Sequence, residues 1–270
     1  MRALNWQWPT RNGLPLPGTM ISIVVAVTAL GLTASVAEIS LPRLIGSLGK
    51  MTVFIAQMFQ GFNWDYLPQM LAKMLETLEM TVLATAIAVV ISLPLGVLAA
   101  KNASPHPIVY RLTRDVLSLM RALPELVWAL VFVSAVGLGP LPGVMALAFV
   151  TVGFMAKFFA ESIEVVDSKA VEGVHAHGAS WVQVRYFAML PQALPDLVGT
   201  LMYILDHNLR AATILGLVGA GGIGYDMVMS MRLFQYDRLI LIGLGIYVVV
   251  TLLDRLSDTL RSRLLHGKRV

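Results

Sequence analysis

The run MTVLATAIAVVISLPLGVLAA, Met80–Ala100, carries no charged side chain along its 21 residues. About 20 apolar residues, rising ~1.5 Å each as a helix, span the ~30 Å hydrocarbon core of a bilayer. In lipid every backbone N–H and C=O must find its partner within the segment, so the run is read as a membrane-crossing helix. Asn12–Ala37 is equally free of charge, and Leu126–Ile163 is broken only by Lys157 and Glu161. The whole chain of 270 residues agrees: 57% is hydrophobic, mean hydropathy is +0.75, and 13% is charged. Soluble domains carry about twice that share of charge. The expected fold class is all-α, a polytopic membrane helical bundle with no room for a soluble enzyme module.

Working outward, about six spans are expected: Thr19–Ala37, Met80–Ala100, Leu117–Val136, Pro142–Phe159, Pro195–Val218 and Leu239–Leu253. The first exceeds the length of a signal-peptide core and lacks a clean cleavage site, so it is read as retained. The last needs its flanks to complete a crossing. Pro94, Pro124 and Pro195 lie in or beside spans, where a kink is expected. With both termini inside, twelve Lys and Arg residues fall on cytoplasmic segments and five (Arg43, Lys50, Lys73, Arg232, Arg238) on outer ones. The positive-inside rule favours that orientation. The chain then divides into a cytoplasmic N-terminal segment 1–18, a transmembrane domain 19–260 and a basic tail 261–270. Leu41–Gln60 is amphipathic at helical spacing, with Leu44, Leu48, Met51 and Ile55 on one side, and is expected on the outer membrane surface or against the bundle. Gly137–Gly143, GLGPLPG, is expected to be an outer turn.

Three basic residues fall within or near spans, each with an acid four positions away: Arg121 with Glu125, Lys157 with Glu161, and Arg210 with Asp206. That spacing stacks partners on one helix face. A charge at the bilayer centre costs ~3 kcal/mol on insertion scales, and pairing or a wet cavity reduces the cost. Simple neutralisation is the favoured account of Lys157–Glu161. For Arg121 and Arg210 neutralisation and a place on an anion path stand about level, because guanidinium groups bind phosphorus oxyanions through forked donors. His207 and Asn208 add polar character beside Arg210.

Leu215–Tyr225, LGLVGAGGIGY, places Gly219, Gly221, Gly222 and Gly224 close to a dinucleotide fingerprint. No strand or βαβ unit precedes it, so close helix packing or an unwound gate segment is the better account. The chain has no cysteine, which excludes disulfide and thiolate chemistry. His175 and His177 lack a third clustered ligand, so no metal is expected. The net charge of +4 is explained by location rather than by nucleic acid. No nucleophile elbow and no phosphate-binding loop are present, so the chain is expected to bind no cofactor and to hydrolyse no ATP.

The segment 166–191 is polar, mostly helical in pattern, and set between two spans. Glu172, Gly178, Leu190 and Pro191 stand in it at the spacing of the coupling loop of ATP-binding-cassette importer permeases, which it resembles. The family pattern is Glu-Ala-Ala, three residues, Gly, nine residues, Ile, one residue, Leu-Pro. Gly173 and Val174 replace the two alanines, and Ala188 replaces Ile. Arg121–Leu147, Gly153–Asp167 and Arg210–Met227 are similar to phosphonate-type permeases. The resemblance covers roughly residues 117–260. The glycine run is also similar to that of methionine and glycine betaine permeases; the Arg-Ala-x-Pro-Glu-x-x-Trp-Ala segment tilts the choice to phosphonate.

The resemblance implies a type I importer fold (MetI-like) in a bacterial plasma membrane, a second permease subunit (a homodimer), two copies of an ATPase that hold ATP and Mg, and an extracytoplasmic substrate-binding protein. It implies a coupling loop of Val171, Glu172, Gly173, Val174, His175, Gly178, Ala179, Leu190 and Pro191, with a short helix around 171–180. Glu172 either meets the ATPase or caps its own helix. Arg121, Glu125, Asp206, His207, Arg210 and the four glycines are the candidates for pathway or gate. A permease for an amino acid or betaine is the nearest alternative. A membrane enzyme acting on lipid phosphates leaves the loop unexplained, and a secondary transporter predicts an inverted repeat that the sequence does not show.

Overall fold

The computed structural model describes residues 10–11, 14–15, 17–36, 40–59, 61 and 63–266. Most of the expected N-terminal segment and the end of the basic tail lie outside them. Apart from a two-residue antiparallel pair, Thr10–Arg11 with Leu14–Pro15, the described residues form helices and their connections. The chain divides into two compact units, Met1–Gln57 and Met58–Val270. The first holds α1 (Pro17–Val36) and nearly all of α2 (Leu41–Met58). α1 runs for 20 residues without a charged side chain, about the length that a crossing needs. Its expected last residue, Ala37, lies outside the described residues. The apolar positions Leu48, Met51 and Ile55 recur on one side of α2, as expected.

The second unit holds α3 (Leu67–Ala99), α4 (Pro107–Met120), α5 (Glu125–Val136), α6 (Pro140–Glu164), α7 (Ser168–Ala176), α8 (Trp181–Val184), α9 (Leu190–Leu215), α10 (Gly222–Arg232) and α11 (Tyr236–His266). Among the described residues, four helical stretches are long and apolar enough to cross a membrane: Trp64–Ala99, Pro140–Glu164, Trp181–Val218 and Tyr236–Thr259. The pair α4 and α5 makes a fifth crossing if taken as one broken span. The expected short last span is completed by its flanks, as α11 runs for 31 residues.

α6 is the centre of the unit. In its most apolar window 72% of residues are buried, against 17–33% in the other three spans, so it faces protein on nearly all sides. Around it pack α3, α4, α5 and α9. The approach to α3 is close because Gly96 has no side chain: a Cβ there would lie 2.7 Å from Phe159 Cβ. Small residues at such a contact let helices gain dispersion energy where lipid removes most of the hydrophobic drive. The core between them holds Ala88, Ala99, Ala156, Phe159 and Ala160, all buried.

Five of the buried polar side chains lie along one line through the core. Thr77, Thr81 and Thr85 of α3 each donate to the carbonyl four residues back, at 2.9, 2.8 and 2.7 Å. Asn208 Nδ2 of α9 donates to Thr85 Oγ1 at 2.9 Å, and Thr151 Oγ1 of α6 donates to Asn208 Oδ1 at 2.9 Å. One side chain thus ties the three central helices together.

The stretch read as a single span over Leu117–Val136 is broken. α4 stops at Met120, α5 starts at Glu125, and their axes differ by 82°. Pro124 is the cause: its ring disfavours helical backbone at Leu123 and it donates no N–H. The last turn of α4 rests on Gly153 of α6, where a Cβ would meet Leu117 O at 3.0 Å.

The fifth expected span starts earlier than Pro195. A capping box at Ser180, with Ser180 N donating to Gln183 Oε1 at 2.7 Å, opens a helix at Trp181. It continues through a wide π turn, Arg185–Met189, into α9. Leu190 N bonds back to Arg185 O in that turn. A π turn relaxes the ladder just where Pro191 supplies no N–H, so the helix passes the proline instead of ending there.

Candidate functional site

Three regions hold the residues singled out by sequence. The first is the connection between α6 and α9. Asp167 caps α7, its Oδ1 accepting from Lys169 N at 2.9 Å. Its own N–H donates to Gln192 Oε1 at 3.1 Å, and Gln192 Nε2 donates to Ala188 O at 2.7 Å, which fastens the start of α7 to the start of α9. No residue of α7 is buried. The helix runs over Ser168–Ala176, three residues earlier than the expected start. Gly178 follows at φ +78°, a conformation that a Cβ penalises, so it supplies the turn expected of it. Arg185 donates to Ala103 O at 3.2 Å and lies over the Trp181 ring at 4.5 Å, bracing α8 against the α3–α4 connection.

The alternatives for Glu172 separate here. The capping group is Asp167, five residues earlier, and Glu172 is exposed in the body of α7. Among the described residues it has no ion-pair partner. Val171 and Val174 are half-buried, while Gly173 and His175 are exposed. Leu190 packs beside the core and Pro191 sits in the first turn of α9.

The second region lies where α5, α6 and α9 meet. His207 Nε2 of α9 and Glu125 Oε1 of α5 are 3.4 Å apart. Both line two adjoining cavities. One, of about 90 Å³, is otherwise bounded by Val150, Thr151, Phe154, Phe158, Tyr203, Ile204 and Asn208. The other also takes in Pro124, Arg210 and Ile214.

The three expected charge pairs fare differently. Lys157–Glu161 forms at 3.9 Å. Arg210 pairs with Asp206, and its other terminal nitrogen lies 4.0 Å from Asp254 of α11, a partner that sequence spacing could not reveal. The Arg121–Glu125 pair is absent. The 82° break between α4 and α5 removes the i,i+4 geometry, and Glu125 turns to His207 instead. Arg121 lies over the Phe154 ring, its guanidinium carbon 5.7 Å from the centroid.

The glycine run forms a fold-back rather than a nucleotide loop. Gly219, Gly221 and Gly222 have φ of +81°, +78° and +70°. A Cβ on Gly224 would lie 1.9 Å from Thr213 O, so α10 crosses the end of α9 at backbone contact. The first amides of α10 are satisfied from α3: Gly222 N donates to Glu76 Oε1 at 3.0 Å and Ile223 N to Thr77 Oγ1 at 2.8 Å. Lys73 pairs with the other oxygen of Glu76 at 2.6 Å. Farther along, Tyr66 donates to Asp226 at 2.7 Å. These anchors were not singled out by sequence. The threonine spacing of four was their one visible signal.

A helical membrane bundle with an exposed inter-span helix and largely apolar cavities touched by a few charged side chains is the architecture of a transport component. The chain belongs to the family described as binding-protein-dependent transport system inner membrane component, whose family model matches residues 92–266. It is 46% identical over 189 residues to the phosphite transport system permease protein PtxC of Stutzerimonas stutzeri, covering 70% of this chain and 69% of that one. It is 41% identical over 218 residues to the phosphate-import permease protein PhnE of Mycolicibacterium smegmatis, covering 81% of this chain. It spans only 40% of that relative's length. The glycine betaine permease OpuAB of Bacillus subtilis is more distant, at 24% over 248 residues, covering 92% of this chain and 80% of that one. Among solved structures, the MetNI methionine ABC transporter in an inward-facing conformation superposes with a TM-score of 0.66 at 22% identity, covering 75% of this chain and 99% of the other. That likeness shows the MetI-like fold.

Proposed function

We propose that this chain is the permease subunit of an ATP-driven importer that carries phosphonate, phosphite or a related phosphorus oxyanion inward. One observation supports the substrate class above the rest: identity to relatives named for phosphite and phosphate import is 41–46%, against 24% for the betaine permease. In this reading two copies of the chain form the pathway, and two copies of a separate ATPase hold ATP and Mg beneath them. An extracytoplasmic binding protein delivers the ligand, and both termini lie in the cytoplasm of a bacterial cell.

The connection 166–191 then faces the ATPase. α7 is suited to insertion in a partner's cleft because none of its residues is buried and only Val171 packs against this chain's core. Glu172 and His175 are exposed for contact, and Gly178 and Ala179 make the return turn. Val171, Gly173 and Val174 complete the docked turns, and Leu190 with Pro191 joins them to α9. The cavities beside Glu125 and His207 line the path, with Arg121, Asp206 and Arg210 nearby. The fold-back at Gly219, Gly221, Gly222 and Gly224 serves as a gate.

The test is reconstitution of the permease with its ATPase and binding protein in liposomes. ATP-dependent uptake of phosphite or methylphosphonate is expected, with none of glycine betaine or methionine. Uptake of betaine alone overturns the substrate class and leaves the importer reading in place.

A further inference from the structure

Charge accounting around the cavities distinguishes the two arginines. Arg210 is compensated twice, by Asp206 on its own helix and by Asp254 on α11. The acids there outnumber the base, and a further anion would be repelled. Arg121 is the opposite case. The break at Pro124 swings Glu125 away, and that carboxylate is engaged by His207 at 3.4 Å. Among the described residues no carboxylate lies within ion-pair distance of Arg121. What the chain gives it is the face of Phe154, and Phe154 lines the cavity that Glu125 and His207 also bound. An aromatic face holds a guanidinium in place without using its forked donors, which stay free for a planar or tetrahedral oxyanion. The position is also fixed from behind: a Cβ on Gly153 would lie 3.5 Å from Arg121 N, so α6 supports the α4 terminus directly.

We infer that Arg121, and not Arg210, is the residue that receives the anionic substrate during passage, while Arg210 is a structural cation closing α9 onto α11. Glu125 supports this by staying bound to His207, which keeps the Arg121 charge uncompensated until the substrate arrives. The inference rests on the phosphorus-oxyanion reading above.

The chain has no cysteine, so a single one can be placed and given a charge. The experiment uses the full importer in liposomes with phosphite as probe, and expresses uptake per assembled complex. Arg121→Cys is expected to lower uptake at least ~10-fold, the loss that one charge-assisted contact supports. Treatment with cationic methanethiosulfonate ethylammonium is expected to restore several-fold of it, and neutral methyl methanethiosulfonate none. Wild-type complex treated in parallel accounts for thiols on the other subunits. Arg210→Cys is expected to lower the yield of complex but to respond alike to both reagents. Arg121→Lys, which needs no labelling, is expected to outperform Arg121→Gln. Equal response of Arg121→Cys to both reagents, Arg121→Lys no better than Arg121→Gln, or charge-dependent rescue at position 210 instead overturns the assignment. If the wild-type complex carries betaine and not phosphite, the substrate reading fails. If it carries phosphite and position 121 is indifferent to charge, this inference alone fails.

Discussion

Replacing Asn208 with leucine tests how the central helices are held. Asn208 is 2% exposed and makes two hydrogen bonds, to Thr85 of α3 and from Thr151 of α6. Leucine keeps nearly the same volume, so the change removes polarity with little cavity. Interhelical hydrogen bonds in membrane bundles are worth ~0.6 kcal/mol on average and at most ~1.7. Two of them give a loss of roughly 1–3 kcal/mol. The two threonines do not suffer equally. Thr85 still donates to Thr81 O at 2.7 Å, whereas the Thr151 hydroxyl loses the acceptor it uses here. The larger share of the loss therefore belongs to the α6–α9 contact. The measurement is reversible unfolding of the purified permease in mixed micelles with increasing dodecyl sulfate, on Asn208→Leu, Thr151→Val, Thr85→Val and the doubles. The Asn208/Thr151 cycle is expected to give a coupling near 1 kcal/mol and the Asn208/Thr85 cycle less. Asn208→Leu as stable as wild type within ~0.3 kcal/mol, with both couplings near zero, refutes the Asn208 tie as a stabilising element.

Gly224→Ala places a methyl where Thr213 O stands at 1.9 Å, so α10 must lift from α9; thermal stability is expected to fall by more than the ~1–3 kcal/mol of ordinary overpacking, checked by a melting shift in detergent. Glu172→Ala is expected to leave that melting temperature unchanged, because the side chain is exposed, while weakening capture of the ATPase in a pull-down. Ser180→Ala removes the capping box and is expected to cost about 1 kcal/mol locally, seen as faster amide exchange over residues 181–184 with exchange in α6 unaltered. Glu76→Ala strips the acceptor from Gly222 N and the partner from Lys73, and is expected to raise amide exchange at the start of α10 more than Glu76→Gln, which retains an acceptor.

The membrane class and most of the spans were legible because uncharged runs of 20 residues have few other physical explanations. Gly178 was legible as a turn, and the glycine run as close packing or an unwound segment, because positive φ and close approach both restrict composition. What escaped was set by relations between helices. Pro124 was visible, yet only the fold shows an 82° break that dissolves an apparent Arg121–Glu125 pair. Asp254 lies 44 positions from Arg210, and Glu76 lies 146 from Gly222; no local spacing connects either pair. Asn208 registered as mere polarity until Thr85 and Thr151 stood beside it. The early start of α9 was hidden by Pro191, whose usual meaning as a helix boundary is cancelled by the π turn in front of it.

That wide turn has a mechanical consequence. From Trp181 to Val218 the backbone is one helical stretch of 38 residues, its ladder loosened over the wide turn Arg185–Met189 and again at Pro195, which donates no N–H. A torque applied at the α7 end meets that loosened turn first. Much of the span's compliance thus lies near its α7 end, and a substitution that restores regular α-geometry to Arg185–Met189 stiffens the transmission without touching either end.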